Sequence, residues 1–244
     1  MLQRHHRGQT FGNRQPRAPD ESVMRLRAGQ LIDVLLDTVA PSCCPGCDCP
    51  PQARSIWCRA CREELRRETS RTIGQFSIWT PWVYSGSVVQ AVKRLKFQNR
   101  PELAGALATA MLASPGAPTL ASQTLLVPVP LHPRRLAERG YNQAALLARA
   151  LARRCGLGCA PRALARIRFE RTQVGCDADQ RRKNVILAYH AGGKVAGRSV
   201  VLVDDVVTTG ATVQACALAL QSAGARIQTI LALARAGCGS HIDG

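Results

Sequence analysis

The residues best suited to chemistry lie between Ser199 and Thr212, in the string SVVLVDDVVTTGAT. Ser199 to Val203 are strand formers, and two carboxylates, Asp204 and Asp205, follow at once. Two valines lead into Thr208, Thr209, Gly210, Ala211 and Thr212, after which Val213, Ala217 and Leu220 recur at helical spacing up to Gly224. A Gly/Thr loop feeding a helix N-terminus turns backbone N–H groups and the positive end of the dipole toward an anion. The threonine hydroxyls add donors, so a phosphate monoester suits the loop. Two carboxylates beside a phosphate would repel it unless they meet something else. Sugar hydroxyls and a hydrated Mg²⁺ are their natural partners, since a carboxylate accepts from the first and coordinates the second. The chemistry so described is that of a ligand with a phosphate, a diol and a metal. A buried strand ending in an ordinary helix cap would need one Asp or Thr and not the whole string.

Phosphoribosyl diphosphate is one such ligand, and the string is similar to the phosphoribosyl-diphosphate loop of type I phosphoribosyltransferases. A second anion site is expected between Thr124–Val129, read as a strand, and a long Ala/Leu helix capped by Asn142 and ending at Gly156. The connection carries Arg134, Arg135, Arg139 and Gly140, reads as a basic loop, and would suit a diphosphate. The competing reading is a solvated basic loop.

A third constellation is metal-like. Cys44-Pro45-Gly46-Cys47 and Cys58-Arg59-Ala60-Cys61 are two Cys-x-x-Cys pairs with ten residues between them, a pattern of structural zinc. A redox pair or role-free thiols are the alternatives, though a redox motif needs only one pair beside a βαβ unit. Cys43 and Cys49 leave the ligand set open, since either could replace Cys44 or Cys47. The metal would act as the core of a small module separate from the core of the sheet domain.

Composition narrows the class. The 244 residues suit one large domain plus a small module, and 46% hydrophobic residues suffice for a core. No run approaches the ~20 apolar residues of a membrane span, and no apolar segment follows the basic N-terminus, so a cytoplasmic protein is expected. Eleven cysteines in such a protein argue against a disulfide framework. The formal charge of +17 rests almost wholly on arginine, and Leu131 to Lys183 carries thirteen basic against four acidic residues. That excess suggests phosphorylated substrate or nucleic acid, unless it is compositional background.

The elements that must position these residues follow from periodicity. Residues 1–28 read as a disordered basic tail, and Gly29 to Val39 as a short amphipathic helix that opens a helix-plus-zinc module over 29–72. From 73 to 236 the pattern is strand, helix, strand, helix, strand. Trp79 to Tyr84 is strand-like, Ser87 to Phe97 helical with Arg94 solvated, and a helix begins near Pro101 and runs to Leu112. Arg166 to Asn184 reads as a long mobile loop over the ligand, Val185 to Tyr189 as an edge strand, Arg226 to Ala234 as a last buried strand, and 237–244 as a loose tail. The fold class is therefore α/β, a parallel sheet covered on both faces with ligands at the carboxyl ends of its strands. No G-x-x-x-x-G-K-[ST] motif occurs, which excludes a P-loop ATPase.

Four pieces stand in order: the cysteine knuckles; Tyr84-Ser85-Gly86 with Leu95-Lys96-Phe97; Val127-Pro128-Val129-Pro130 with Arg139-Gly140-Tyr141-Asn142-Gln143; and Val203 through Thr212. Together they resemble the ComF/GntX family, phosphoribosyltransferase-like proteins with an N-terminal zinc finger, from about Leu31 to Ala234. Thr172, Gln173, Arg181 and Asn184 match a further family pattern. The resemblance implies that Asp204 and Asp205 hold ribose hydroxyls and hydrated Mg²⁺, that Thr208 to Thr212 hold the 5′-phosphate, and that the Arg139 loop faces the diphosphate. It implies a candidate phosphoribosyltransferase with a role in natural competence and DNA uptake, beside other competence proteins, or in metabolism. The alternative is a single-stranded-DNA-handling protein whose phosphoribosyl site is a non-catalytic sensor or anchor.

Overall fold

In the computed structural model the described residues are 43–50, 55–68, 70–166, 188–192 and 195–237. The expected tail and helix before residue 40, the terminal tail beyond Gly237, and Thr172, Gln173, Cys176, Arg181 and Asn184 lie outside them.

The middle of the sheet is β8, Ser199–Val207, flanked in parallel by β9, Arg226–Arg235, and by β4, Leu125–Pro128. The short β5, Gly158–Cys159, extends it beyond β4. On the other side β2, Phe76–Trp79, and β3, Trp82–Val83, line up in succession along β9, both parallel to it. The expected parallel sheet is present with one addition: β1, Arg71–Ile73, pairs antiparallel with β2 and forms a hairpin at the edge. β8 also exceeds the expected Ser199–Val203 strand. Its pairing with β9 continues through Asp204↔Ala232 to Val207↔Arg235, so both carboxylates lie within the ladder.

Helices cover both faces. On one lie α2, Gly86–Phe97, α3, Leu103–Leu112, and α5, Gln143–Cys155, whose Leu95, Leu107 and Leu147 pack with Val201, Val203 and Leu231. On the other lie α6, Ala211–Ser222, and a ribbon of β6, Leu164–Arg166, antiparallel to β7, Tyr189–Ala191. Arg166, expected in the long loop, is thus the last residue of β6, and its guanidinium sits 5.9 Å from the Tyr189 ring. The strand expected over Val185–Tyr189 begins at Tyr189 among the described residues and belongs to this ribbon, not to the edge of the main sheet.

Local chemistry explains the helix ends. α5 starts where Asn142 Oδ1 accepts from the Ala144 amide at 3.0 Å, and stops at Gly156 with φ 65°. The basic segment before it is not a loop. It forms α4, Pro133–Arg139, with Pro133 in its first turn, the His132 side chain accepting from the Arg134 amide, and Gly140 as a left-handed cap.

The cysteine segment, including α1, Arg59–Glu63, does not have a core of its own, contrary to expectation. Cys44, Trp57 and Cys61 belong to the same buried cluster as Trp79, Trp82, Val88 and Leu95, and Trp57 meets Trp82 edge-on at 5.7 Å. Arg94, expected in solvent, is the fastener: its side chain is 14% exposed and lies 2.8 Å from Asp48. It also donates to the carbonyls of Cys44 and Pro45 at 3.4 Å. No helix among the described residues is long and apolar enough to cross a membrane.

Candidate functional site

The site is built at the carboxyl end of β8. Asp204 and Asp205 are both buried there. Strand side chains alternate, so the two leave the strand toward opposite faces of the sheet, but their carboxyl groups still meet at its end and Lys96 acts on both. Asp204 acts on Tyr189 and on Cys216 of α6. Asp205 meets Lys96, the penultimate residue of α2, whose Nζ lies 2.6 Å from its Oδ2. The Asp205 amide donates to Asp204 Oδ1 at 2.8 Å.

Their electrostatics diverge accordingly. Burial, reinforced by the neighbouring Asp205 charge, lifts the Asp204 carboxyl well above the usual carboxylate range. Burial pushes Asp205 the same way, but the Lys96 ammonium outweighs it and holds Asp205 below the ordinary value. Lys96 is held charged in return, its own burial being outweighed by Asp205. Tyr84, raised chiefly by burial, feels the charges of both Lys96 and Asp205 and so borders the same pair.

Beyond Val207 the chain turns through Thr208, Thr209 and Gly210 into α6. Thr208, Thr209, Ala211 and Thr212 are exposed and Gly210 is buried. Gly210 has φ 83°, and a Cβ built there would stand 2.3 Å from Ile73 Cδ1, so the turn needs glycine on both counts. As N-cap it has no side chain to offer, which leaves first-turn amides of α6 open to an anion. The Ala211 amide meets Thr209 Oγ1 at 3.4 Å.

A cleft of about 670 Å³ lies beside the Asp205–Lys96 pair, lined by Lys96, Phe97, Arg135, Arg139, Gly140 and Tyr141 among others. Arg139 is fixed twice, donating to Gln143 Oε1 at 2.5 Å and lying 5.0 Å from the Phe97 ring. Tyr141 donates to the Leu95 carbonyl at 2.6 Å, which ties the turn after α4 to the end of α2. Arg139 and Gly140 therefore share a cleft with Lys96, and Asp205 acts on Arg139 as well. Thr208 to Thr212 are not in the lining of that cleft. Lys96 is the residue that sequence reasoning passed over. The Leu95-Lys96-Phe97 piece was its only signal, and helix periodicity alone places a lysine there in water.

The four thiols of Cys44, Cys47, Cys58 and Cys61 converge, with every Sγ within 4.8 Å of the others. Tetrahedral zinc with Zn–S of ~2.3 Å sets its sulfurs about 3.8 Å apart, so the group could close on one ion with little movement. A tetrahedral all-thiolate set suits zinc or an iron–sulfur centre. Gly46 is required between the ligands, since a Cβ there would lie 2.7 Å from Cys61 Sγ. Cys43 and Cys49 are not members: Cys43 Sγ accepts from Arg100 at 3.0 Å, and Cys49 is exposed. Asp48, at φ 62° in the turn, pairs with Arg94 at 2.8 Å and Arg100 at 3.0 Å.

Residues 137–244 match the phosphoribosyl transferase domain family. The DNA utilization protein YhgH of Salmonella typhi is 33% identical over 201 residues, covering 80% of this chain and 84% of that protein. Competence protein F of Haemophilus influenzae is 31% identical over 79% of this chain and 90% of its own length. Competence protein ComFC of Bacillus subtilis is 27% identical over 74% of this chain and 72% of its length. With a mixed α/β sheet, a phosphoribosyl transferase domain match and relatives of this identity and coverage, the chain belongs to the ComF/GntX family.

Proposed function

We propose that the protein binds phosphoribosyl diphosphate with Mg²⁺ at the carboxyl end of β8, as a ComF-type phosphoribosyltransferase-like protein of DNA uptake or utilization. The observation that carries this reading is the buried Asp204–Asp205 pair running directly into the open N-terminus of α6 through Gly210. Asp204 and Asp205 would hold the ribose hydroxyls and a hydrated Mg²⁺, and the Thr208–Thr212 turn would take the 5′-phosphate. Arg139 and Gly140, in the cleft beside Lys96, would face the diphosphate. Bound Mg²⁺ would supply charge neutralisation for a departing diphosphate. The chain's own part is positional: the carboxylates orient the sugar, the amides and hydroxyls fix its phosphate, and Arg139 adds fixed positive charge where negative charge grows. A nucleobase-like nucleophile is the acceptor class for such a transfer.

Zinc in the four-cysteine site would be structural. Phosphoribosyl diphosphate with Mg²⁺ is expected to raise the melting temperature, because it binds only the folded state. At a hundredfold excess over Kd the gain is ~2.7 kcal/mol. Thr209→Val should reduce the shift. A melting curve that millimolar ligand leaves unchanged would remove the basis for the reading.

A second reading, single-stranded DNA handling with the site as sensor or anchor, is favoured by the basic excess from Leu131 to Lys183 and by the names of the relatives. Contacts of that kind release counterions, so log affinity should fall linearly with log salt, by ~0.7 per phosphate for a single strand. Labelled single-stranded and duplex oligonucleotides titrated at several salt concentrations, with and without phosphoribosyl diphosphate, decide it. Binding that survives physiological salt and responds to the ligand supports the second reading. Binding lost above low salt returns the case to the transferase.

A further inference from the structure

The Asp205–Lys96 pair is poorly matched to the task assigned to Asp205. A carboxylate that receives ribose hydroxyls and a hydrated divalent cation must be free to do so, yet here one oxygen already holds an ammonium at 2.6 Å. Neither group is casually placed: the Asp205 side chain is 4% exposed and that of Lys96 22%. A divalent cation and a lysine at one buried carboxylate repel each other with little water to screen them. One of them has to go elsewhere, and a buried cation moves only to another anion.

The geometry supplies the destination. Lys96 lies at the end of α2 and lines the same cleft as Arg135, Arg139 and Gly140. Its flexible four-carbon stem carries a compact point charge that can serve either neighbour. Arg139 has no such freedom, being held by Gln143 and stacked on Phe97. Resting on the phosphoribosyl diphosphate reading above, we propose that Lys96 is a displaceable counter-cation, which occupies Asp205 in the unliganded protein and transfers to the ligand's diphosphate when a hydrated divalent cation takes its place. Lys96 would then exclude metal alone and admit metal together with diphosphate, so that cation and substrate enter as one unit.

The test uses the full chain with its cysteine site filled by zinc, and Mn²⁺ as the paramagnetic probe. Wild-type protein should bind Mn²⁺ weakly alone and more tightly with phosphoribosyl diphosphate. Lys96→Gln should bind Mn²⁺ alone about tenfold tighter or more, because two cations no longer compete for one carboxylate. The double variant Lys96→Gln/Asp205→Asn should lose that gain. Equal Mn²⁺ affinity in wild type and Lys96→Gln overturns the proposal, and does so whether or not phosphoribosyl diphosphate binds. Should Lys96→Gln fail to fold, the wild type answers by itself. The chain has only four lysines, Lys93, Lys96, Lys183 and Lys194, so the Lys96 ammonium can be followed by ¹⁵N-lysine NMR. Its resonance should stay in place with Mg²⁺ alone and move with Mg²⁺ plus phosphoribosyl diphosphate; a resonance unmoved at saturating ligand overturns the proposal. The melting-temperature experiment reports separately on the underlying ligand reading.

Discussion

Replacing Cys61 by serine, or stripping the four-cysteine site with a chelator, is expected to unfold the protein as a whole rather than its N-terminal segment alone. A structural zinc contributes ~10–16 kcal/mol in small zinc modules, against ~5–15 kcal/mol for the net stability of a typical domain. The local loss would also spread. Cys44, Trp57 and Cys61 share one buried cluster with Trp79, Trp82, Val88 and Leu95, and burial of each large side chain there contributes ~1.5–3 kcal/mol. All three tryptophans of the chain lie in that cluster, so their fluorescence reports the event directly. The expected result is a single transition, seen by fluorescence and by far-UV circular dichroism, at a much lower temperature than in the wild type. Two separated transitions, with the sheet melting as before, would show the cores to be independent after all.

The same conservative change at two adjacent residues is expected to act in opposite directions. Asp205→Asn removes the partner of a buried lysine and should cost ~3–5 kcal/mol, the usual penalty for leaving one member of a buried pair uncompensated. Asp204→Asn removes a carboxyl that burial and its neighbour already disfavour as an anion. The carboxamide oxygen that replaces it can still accept from the Asp205 amide, so the fold should lose nothing there and gain stability at neutral pH. The signs extend to pH. Asp205 is depressed in the folded state, so its contribution is present above the unfolded carboxylate value and fades as pH falls through the folded one. Asp204 is raised, so its contribution is present below the unfolded value and fades as pH climbs through the folded one. The advantage of Asp204→Asn should therefore grow from acid toward neutral pH, while the deficit of Asp205→Asn should shrink toward strong acid. Under the proposed function both variants lose ligand-induced stabilisation. Melting curves of the three proteins from pH 3 to 8 decide the matter, and parallel losses in both variants would refute the opposed environments.

The strand-to-helix passage was legible because each of its residues states its role locally: valines for a buried strand, Gly210 for a left-handed turn, and spaced apolar residues for α6. The cysteine cluster was legible for the same reason, although seeing that Cys44 and not Cys43 joins the group that could hold a metal required coordinates, since the spacing admits both. What periodicity could not reveal were effects of tertiary contact. Arg94 and Lys96 occur among polar positions of α2, and only the approach of Asp48 and Asp205 turns them inward. α4 has a single large apolar residue, Leu136, which is 43% exposed, so no amphipathic stripe announces a helix; His132, Pro133 and Gly140 define its ends instead.

α2 binds the cysteine turn through Arg94 and, one residue past Leu95, the Asp205 carboxylate through Lys96. That arrangement bears on how such proteins can be recombined. The phosphoribosyl transferase domain match, residues 137–244, begins after both of these side chains. A chimera cut at that boundary would inherit the acidic pair with a lysine contributed by a foreign helix, anchored to a foreign metal turn. Exchange between relatives should preserve the cleft only when the cysteine turns, α2 and the Arg100 link travel together as one cassette.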